Sequence, residues 1–226
     1  MARFQAKLVL IDLDGTLVDS VPDLAYSVDQ TMLRLGLPLR GEAAVRTWVG
    51  NGVKTLVERA LTNDLYQPAD PTLLAQALAV FMEIYAENTS QRSRIYPGVV
   101  EGLAFLQSCQ ALKVACVTNK AEQFTHKLLK NLGLFERFAL IVSGDTLPEK
   151  KPHPLPLLYA AELLGISTSE AIMIGDSQSD VKAARAAGFK MIAVSYGYNH
   201  GEDIRDYQPD AVVDSLAELK AWVRCD

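Results

Sequence analysis

Five short apolar runs punctuate the chain, at 8–13, 113–117, 139–142, 171–174 and 191–194, and each gives way to a polar residue or a glycine. None alternates between apolar and polar positions. Runs of this length without alternation predict strands buried on both faces, the pattern of a parallel sheet covered by helices. Between the later runs lie stretches of helical periodicity, 121–132, 155–164 and 179–187, closed by Gly133, Gly165 and Gly188. A glycine just past a periodic stretch supplies the left-handed residue that ends a helix. Strand and helix in alternation predict a doubly wound α/β domain, a Rossmann-like parallel sheet with right-handed crossovers.

One interval breaks the rhythm. About 80 residues separate the first run from the second, far more than a crossover helix needs, so something folded must fill them. Val21, Leu24, Val28, Met32 and Leu35 recur at helical spacing, with Pro22 near the start and Gly36 at the end. Leu74, Leu78, Phe81, Met82 and Tyr85 do so again, after Asp70 as a cap and Pro71 in the first turn. The interval therefore reads as a small helical domain over 17–95 inserted into an α/β domain made of 1–16 and 96–226. Pro97-Gly98 turns the chain back into the larger unit.

Composition narrows the partners. A hydrophobic fraction of 49% supports a substantial core, while the net charge of -5 gives no basic field for a nucleic acid backbone. The three cysteines, Cys109, Cys116 and Cys225, lack paired spacing, so the sequence predicts neither a disulfide framework nor a zinc site. Asp12 and Asp14 interrupt the first apolar run too early for a membrane or secretory segment. The expectation is a cytoplasmic protein, a monomer or weak dimer, that binds neither nucleic acid nor membrane.

Ligands of open parallel sheets bind outside the carboxyl ends of the strands, and the polar residues of this chain gather there. The first run ends in Asp12-Leu13-Asp14-Gly15-Thr16, the second in Thr118-Asn119, and the fourth in Gly175-Asp176-Ser177-Gln178-Ser179-Asp180. After the third comes Lys150-Lys151-Pro152-His153-Pro154. Aspartate, serine and glycine are ordinary in turns and caps. Asp12 is not, because it lies within a buried strand, where an uncompensated carboxylate is costly.

These residues resemble the four motifs of the haloacid-dehalogenase-like superfamily of phosphatases: Asp12-x-Asp14-Gly-Thr16-Leu-Val, Thr118, Lys151-Pro-x-Pro, and Gly175-Asp176-x-x-x-Asp180. The likeness runs nearly the full length. The insertion after the first motif is similar to the cap of the subfamily that includes the bacterial phosphoglycolate phosphatases, and the stretches Trp48 to Gly52, Val117 to Lys120, Lys150 to Pro154 and Tyr196 to Asn199 resemble those enzymes too.

The resemblance implies a phosphomonoester hydrolase, with 2-phosphoglycolate as the expected substrate. It casts Asp12 as a nucleophile that becomes an aspartyl-phosphate and Asp14 as general acid and base. Thr118, Asn119 and Lys151 would bind phosphate, and a Mg²⁺ ion would sit on Asp12, the Asp14 carbonyl and Asp176, with Asp180 behind them. Lys151 is preferred to Lys150 because it directly precedes Pro152. In the insertion, Asn51 and Gly52 are expected to contact substrate. A different phosphate ester and a phosphosugar mutase remain open alternatives, as does a non-catalytic domain switched by aspartyl phosphorylation.

Overall fold

Leu8, Val9, Leu10 and Ile11 have no solvent exposure, as a strand with partners on both edges and helices on both faces requires. In the computed structural model, which describes residues 4–224, this segment lies at the centre of the main sheet. In chain order the strands are β1 (Phe4–Gln5), β2 (Leu8–Ile11), β3 (Val18–Asp19), β4 (Arg94–Ile95), β5 (Lys113–Val117), β6 (Leu140–Val142), β7 (Ala171–Gly175), β8 (Lys190–Val194), β9 (Ala211–Val213) and β10 (Val223–Arg224). The helices are α1 (Val21–Arg34), α2 (Gly41–Trp48), α3 (Val53–Thr62), α4 (Pro71–Asn88), α5 (Val99–Ser108), α6 (Glu122–Asn131), α7 (Leu155–Leu164), α8 (Gln178–Ala187) and α9 (Leu219–Trp222).

Six strands pair in the order β6-β5-β2-β7-β8-β9, all parallel. The chain builds outward from β2 to β6, returns to the centre, and builds the other way from β7. The order thus reverses between β2 and β7, where the loops at the carboxyl ends diverge and leave a crevice. All five predicted strands belong to this sheet; the sixth, β9, is too short to show a pattern of its own. Val9 and Ile11 pack one face against Leu103, Leu106 and Leu128. Leu8 and Leu10 pack the other against Leu157, Ala160 and Val181.

Helices α1 to α4 pack on one another through Val28, Met32, Val45, Leu56 and Phe81. The chain enters and leaves them through an antiparallel ribbon in which Val18 faces Ile95. Asp23, fully buried in the first turn of α1, accepts hydrogen bonds from the backbone nitrogens of Arg92 (2.9 Å) and Ser93 (2.8 Å) and from the Ser93 hydroxyl (2.6 Å). One carboxylate therefore ties the start of the helical unit to its end.

Among the described residues, Cys116 is buried and free. Cys109 is disulfide-bonded, where the sequence predicts no disulfide, because pairing follows proximity in the fold, which spacing does not reveal. Cys225 lies outside the described residues. No described helix is long and apolar enough to cross a membrane.

Candidate active site

Strands β2 and β7 deliver two aspartates to the crevice between them. Asp12 follows β2 and donates its backbone N–H to Ile174 O (2.9 Å), which fixes its height beside β7; Asp176 follows β7 directly. Asp12, Asp176 and Asp180 are buried, and their carboxylates offer oxygens that all lie within 4.8 Å of one another. Lys151 enters the same space. Its Nζ donates to Asp12 Oδ1 (2.7 Å) and Val117 O (2.6 Å) and pairs with Asp180 Oδ1 (2.8 Å), so three acceptors occupy its three donors. Lys150 is exposed and holds the Asn51 carbonyl instead (3.1 Å).

One ammonium does not balance three carboxylates. The Asp12 carboxyl is pushed up to about 7, chiefly by burial; Lys151 opposes the rise, and the charges of Asp180 and Asp14 add to it. Burial likewise holds Asp176 well above the ordinary range, with Asp12 and Asp180 adding to the effect. The excess negative charge and the all-oxygen donor set fit a hard divalent cation, which would remove both penalties.

The surrounding backbone is shaped to hold these carboxylates. Asp176 Oδ1 accepts from the Thr16 hydroxyl (3.0 Å), and its Oδ2 accepts from the backbone N–H of Tyr198 (2.7 Å). Gly197 lets that loop approach, since a Cβ there would lie 2.0 Å from Asp176 Cβ. Asp180 Oδ2 accepts from the backbone nitrogen (3.1 Å) and hydroxyl (2.7 Å) of Ser177, at the start of α8. That leaves Oδ1 aimed at Lys151.

Thr118 is buried at the end of β5, its backbone N–H bonded to Val142 O (2.9 Å) and its hydroxyl accepting from Lys120 N (3.2 Å). Asn119 donates from Nδ2 to Gly50 O (3.0 Å) and to Lys151 O (2.9 Å), joining the loop between α2 and α3 to the segment that carries Lys151. Asp14 sits beside Asp12 in the same cavity, where its carboxylate accepts from the Ser20 hydroxyl and from Lys120 Nζ, 3.2 Å from each oxygen.

Lys120 lies in the Val117 to Lys120 stretch that resembles the family, but the sequence assigns it no role. It is buried, its ammonium lies 5.0 Å from the centre of the Tyr85 ring, and it lines the cavity. Burial works against its charge, but Asp14 and Tyr85 outweigh that and raise its pKa. Its place two residues past Thr118, beyond the end of a buried strand, was the available signal. Tyr198, within the Tyr196 to Asn199 stretch that resembles the family, had no role assigned; besides bonding Asp176 through its backbone, its hydroxyl donates to Asp19 Oδ1 (2.6 Å).

Together these groups line a small cavity of about 40 Å³, room for a few water molecules. Asp12, Asp14, Thr118, Lys151, Asp176 and Asp180 all line it. From the helical unit come Leu24, Val49, Val53 and Leu56, with the backbone of Gly50 and Gly52. Asn51 does not reach this cavity and lines a neighbouring groove with Pro152 and His153.

Comparison with known proteins places these features in a family. Residues 9–194 match the family model described as haloacid dehalogenase-like hydrolase. The chain is 60% identical to a phosphoglycolate phosphatase of Nitrosococcus oceani over 96% of each chain. It is 50% identical to one of Thiobacillus denitrificans over 96% of this chain and 95% of that one. A crystal structure described as a predicted phosphoglycolate phosphatase from Haemophilus somnus superposes with a TM-score of 0.89 at 36% identity, covering 96% of this chain and 97% of the other. With its motifs gathered at the point where strand order reverses, the chain belongs to the haloacid dehalogenase-like hydrolases.

Proposed function

We propose that this protein hydrolyses 2-phosphoglycolate to glycolate and phosphate, with Asp12 as the nucleophile. The observation that carries the reading is Asp12 itself: a buried carboxylate at the reversal point, held by Lys151 and lining a small cavity. The phosphoglycolate phosphatases of Nitrosococcus and Thiobacillus support the substrate.

Phosphoryl transfer needs an in-line nucleophile, compensation of charge on the non-bridging oxygens, and a proton for the leaving oxygen. An Asp12 oxygen attacks phosphorus, forms an aspartyl-phosphate, and so divides one difficult hydrolysis into two easier steps. Asp14, in the same cavity, gives a proton to the leaving glycolate oxygen and takes one from the water that attacks next. Thr118 and neighbouring backbone amides donate to the phosphate oxygens, while Lys151 keeps Asp12 and Asp180 from repelling the incoming anion. Mg²⁺ would be held by Asp12, the Asp14 carbonyl and Asp176, with Asp180 fixing Lys151 behind them; it supplies charge neutralisation at the phosphate oxygens.

The helical unit over 17–95 acts in this reading as a cap that excludes bulk water from the reaction. Gly52 borders the substrate, and Asn51 supports the loop through its carbonyl.

The test is a panel of phosphorylated metabolites assayed for phosphate release with magnesium. The largest kcat/KM is expected for 2-phosphoglycolate. A higher value for a sugar phosphate, nucleotide or pyrophosphate would replace the substrate. Phosphate moved between sugar positions without release would replace the reaction by a mutase.

A further inference from the structure

Two cations line the cavity, Lys120 and Lys151, and they differ in what they have left to give. The three acceptors around Lys151 are Asp12, Asp180 and Val117 O, and they take up all three of its donors. Lys120 bonds to one carboxylate, that of Asp14, at 3.2 Å from each oxygen. These bonds use two of the three donors of an ammonium; the Tyr85 ring centre lies 5.0 Å away, and its hydroxyl has no hydrogen-bond partner among the described residues. Capacity for another anion therefore lies at Lys120.

Its position is equally specific. Asp14 is the group assigned to the leaving oxygen, and Lys120 is in direct contact with it. In 2-phosphoglycolate the carboxylate follows the ester oxygen across a single methylene, so a substrate whose ester oxygen meets Asp14 brings its carboxylate beside Lys120. The other walls offer nothing comparable: Leu24, Val49, Val53 and Leu56 are apolar, and a carboxylate enclosed against them without a charged donor would not be stable. Arg46 is engaged elsewhere, with both guanidinium nitrogens on Asp19 (3.1 and 3.2 Å) and one on Glu42 (2.7 Å).

We propose that Lys120 is the specificity residue of this site: its ammonium binds the carboxylate of the substrate and selects 2-phosphoglycolate over phosphate esters that lack one. The assignment rests on the substrate proposed above. Lys120 also keeps Asp14 in place, so its loss slows every substrate; the carboxylate contact adds a loss only for those that carry the carboxylate.

The experiment compares kcat/KM for 2-phosphoglycolate and for ethyl phosphate, in magnesium-loaded wild-type protein and in Lys120→Met. The ratio of the two substrates is expected to fall by about 10-fold or more in the variant, as for a site that loses its partner to a charged substrate group. An unchanged ratio, with both substrates slowed alike, would overturn the proposal and leave the substrate assignment standing. A wild-type ratio near unity would remove the substrate assignment and this proposal together.

Should Lys120→Met fail to fold because Asp14 is left unpaired, Asp14→Asn/Lys120→Met removes both charges of the pair. Calorimetric binding is then compared with Asp14→Asn alone. The double variant is expected to bind 2-phosphoglycolate about 10-fold more weakly and ethyl phosphate equally well. Equal weakening for both ligands, or none for 2-phosphoglycolate, would refute the role.

Discussion

At the scale of single residues, Asp12 carries a charge that its surroundings resist, and this has consequences for stability as well as chemistry. Its carboxyl is pushed up to about 7 mainly by burial, whereas in an unfolded chain it would titrate near ~4. The folded state therefore binds more protons between those values, and stability falls as pH rises through them. In the presence of chelator, the melting temperature should drop between about pH 4 and about pH 7, and excess magnesium should reverse the drop. A chelated protein that becomes more stable over that range would contradict this account. Asp12→Asn should abolish phosphate release while the metal-free protein melts no lower than wild type, because a buried amide avoids the cost of a buried charge. Phosphate release by that variant would exclude Asp12 as nucleophile.

Most of the site was legible residue by residue because its members stand where polar residues are out of place, immediately after apolar runs. Asp12, Thr118 and Asp176 follow β2, β5 and β7, and the fold brings them together with Asp14, Lys151 and Asp180. The role of Lys120 was not legible, for the opposite reason, although its stretch resembles the family. A lysine in a loop ahead of a helix reads as solvated, and only the three-dimensional closure of Tyr85 and Asp14 around it makes it a buried cation.

Among the elements, the turns that follow β7 and β8 do most to shape the cluster. Gly197→Ala would drive a Cβ to 2.0 Å from Asp176, forcing that carboxylate or the loop to move. Magnesium affinity, read by calorimetry, should fall by about 10-fold or more; unchanged affinity would show that the loop yields freely. Ser177→Ala removes a hydroxyl from Asp180 at the start of α8, and should cost about 1 kcal/mol in chemical denaturation. Strands of four and five residues announced themselves by continuous apolar character, as did helices by their glycine ends: Gly165 and Gly188 terminate α7 and α8 in left-handed conformation. Helices α2 and α3 carried weaker signals, being short and partly exposed. Their break at Gly50-Asn51-Gly52 was clearer than the helices themselves.

For the molecule as a whole, the helical unit is seated on the sheet domain by Phe124 and Tyr198, which pack into its apolar core, and by polar contacts around them. Asp23 closes the ribbon that joins them, and Asp23→Ala leaves two backbone donors and the Ser93 hydroxyl without their buried acceptor. A loss of about 3 kcal/mol is expected in equilibrium unfolding, and a value within experimental error of zero would show that water replaces the carboxylate. The insertion was visible in the sequence as an interval too long for a crossover; its seating was not, since Asn119 and Lys150 grip it from segments about 70 and 100 residues away in the chain.

That grip has a further effect. Asn119 and Lys150 hold the loop by the main-chain oxygens of Gly50 and Asn51, and every residue type presents the same oxygen. Closure is thus insensitive to the side chain at position 51 alone, because Gly50 and Gly52 flank it with positive φ angles of 124° and 87° that side chains disfavour. Variants of this enzyme can therefore be diversified at Asn51, whether by a laboratory library or by natural drift, while its two glycine neighbours stay fixed.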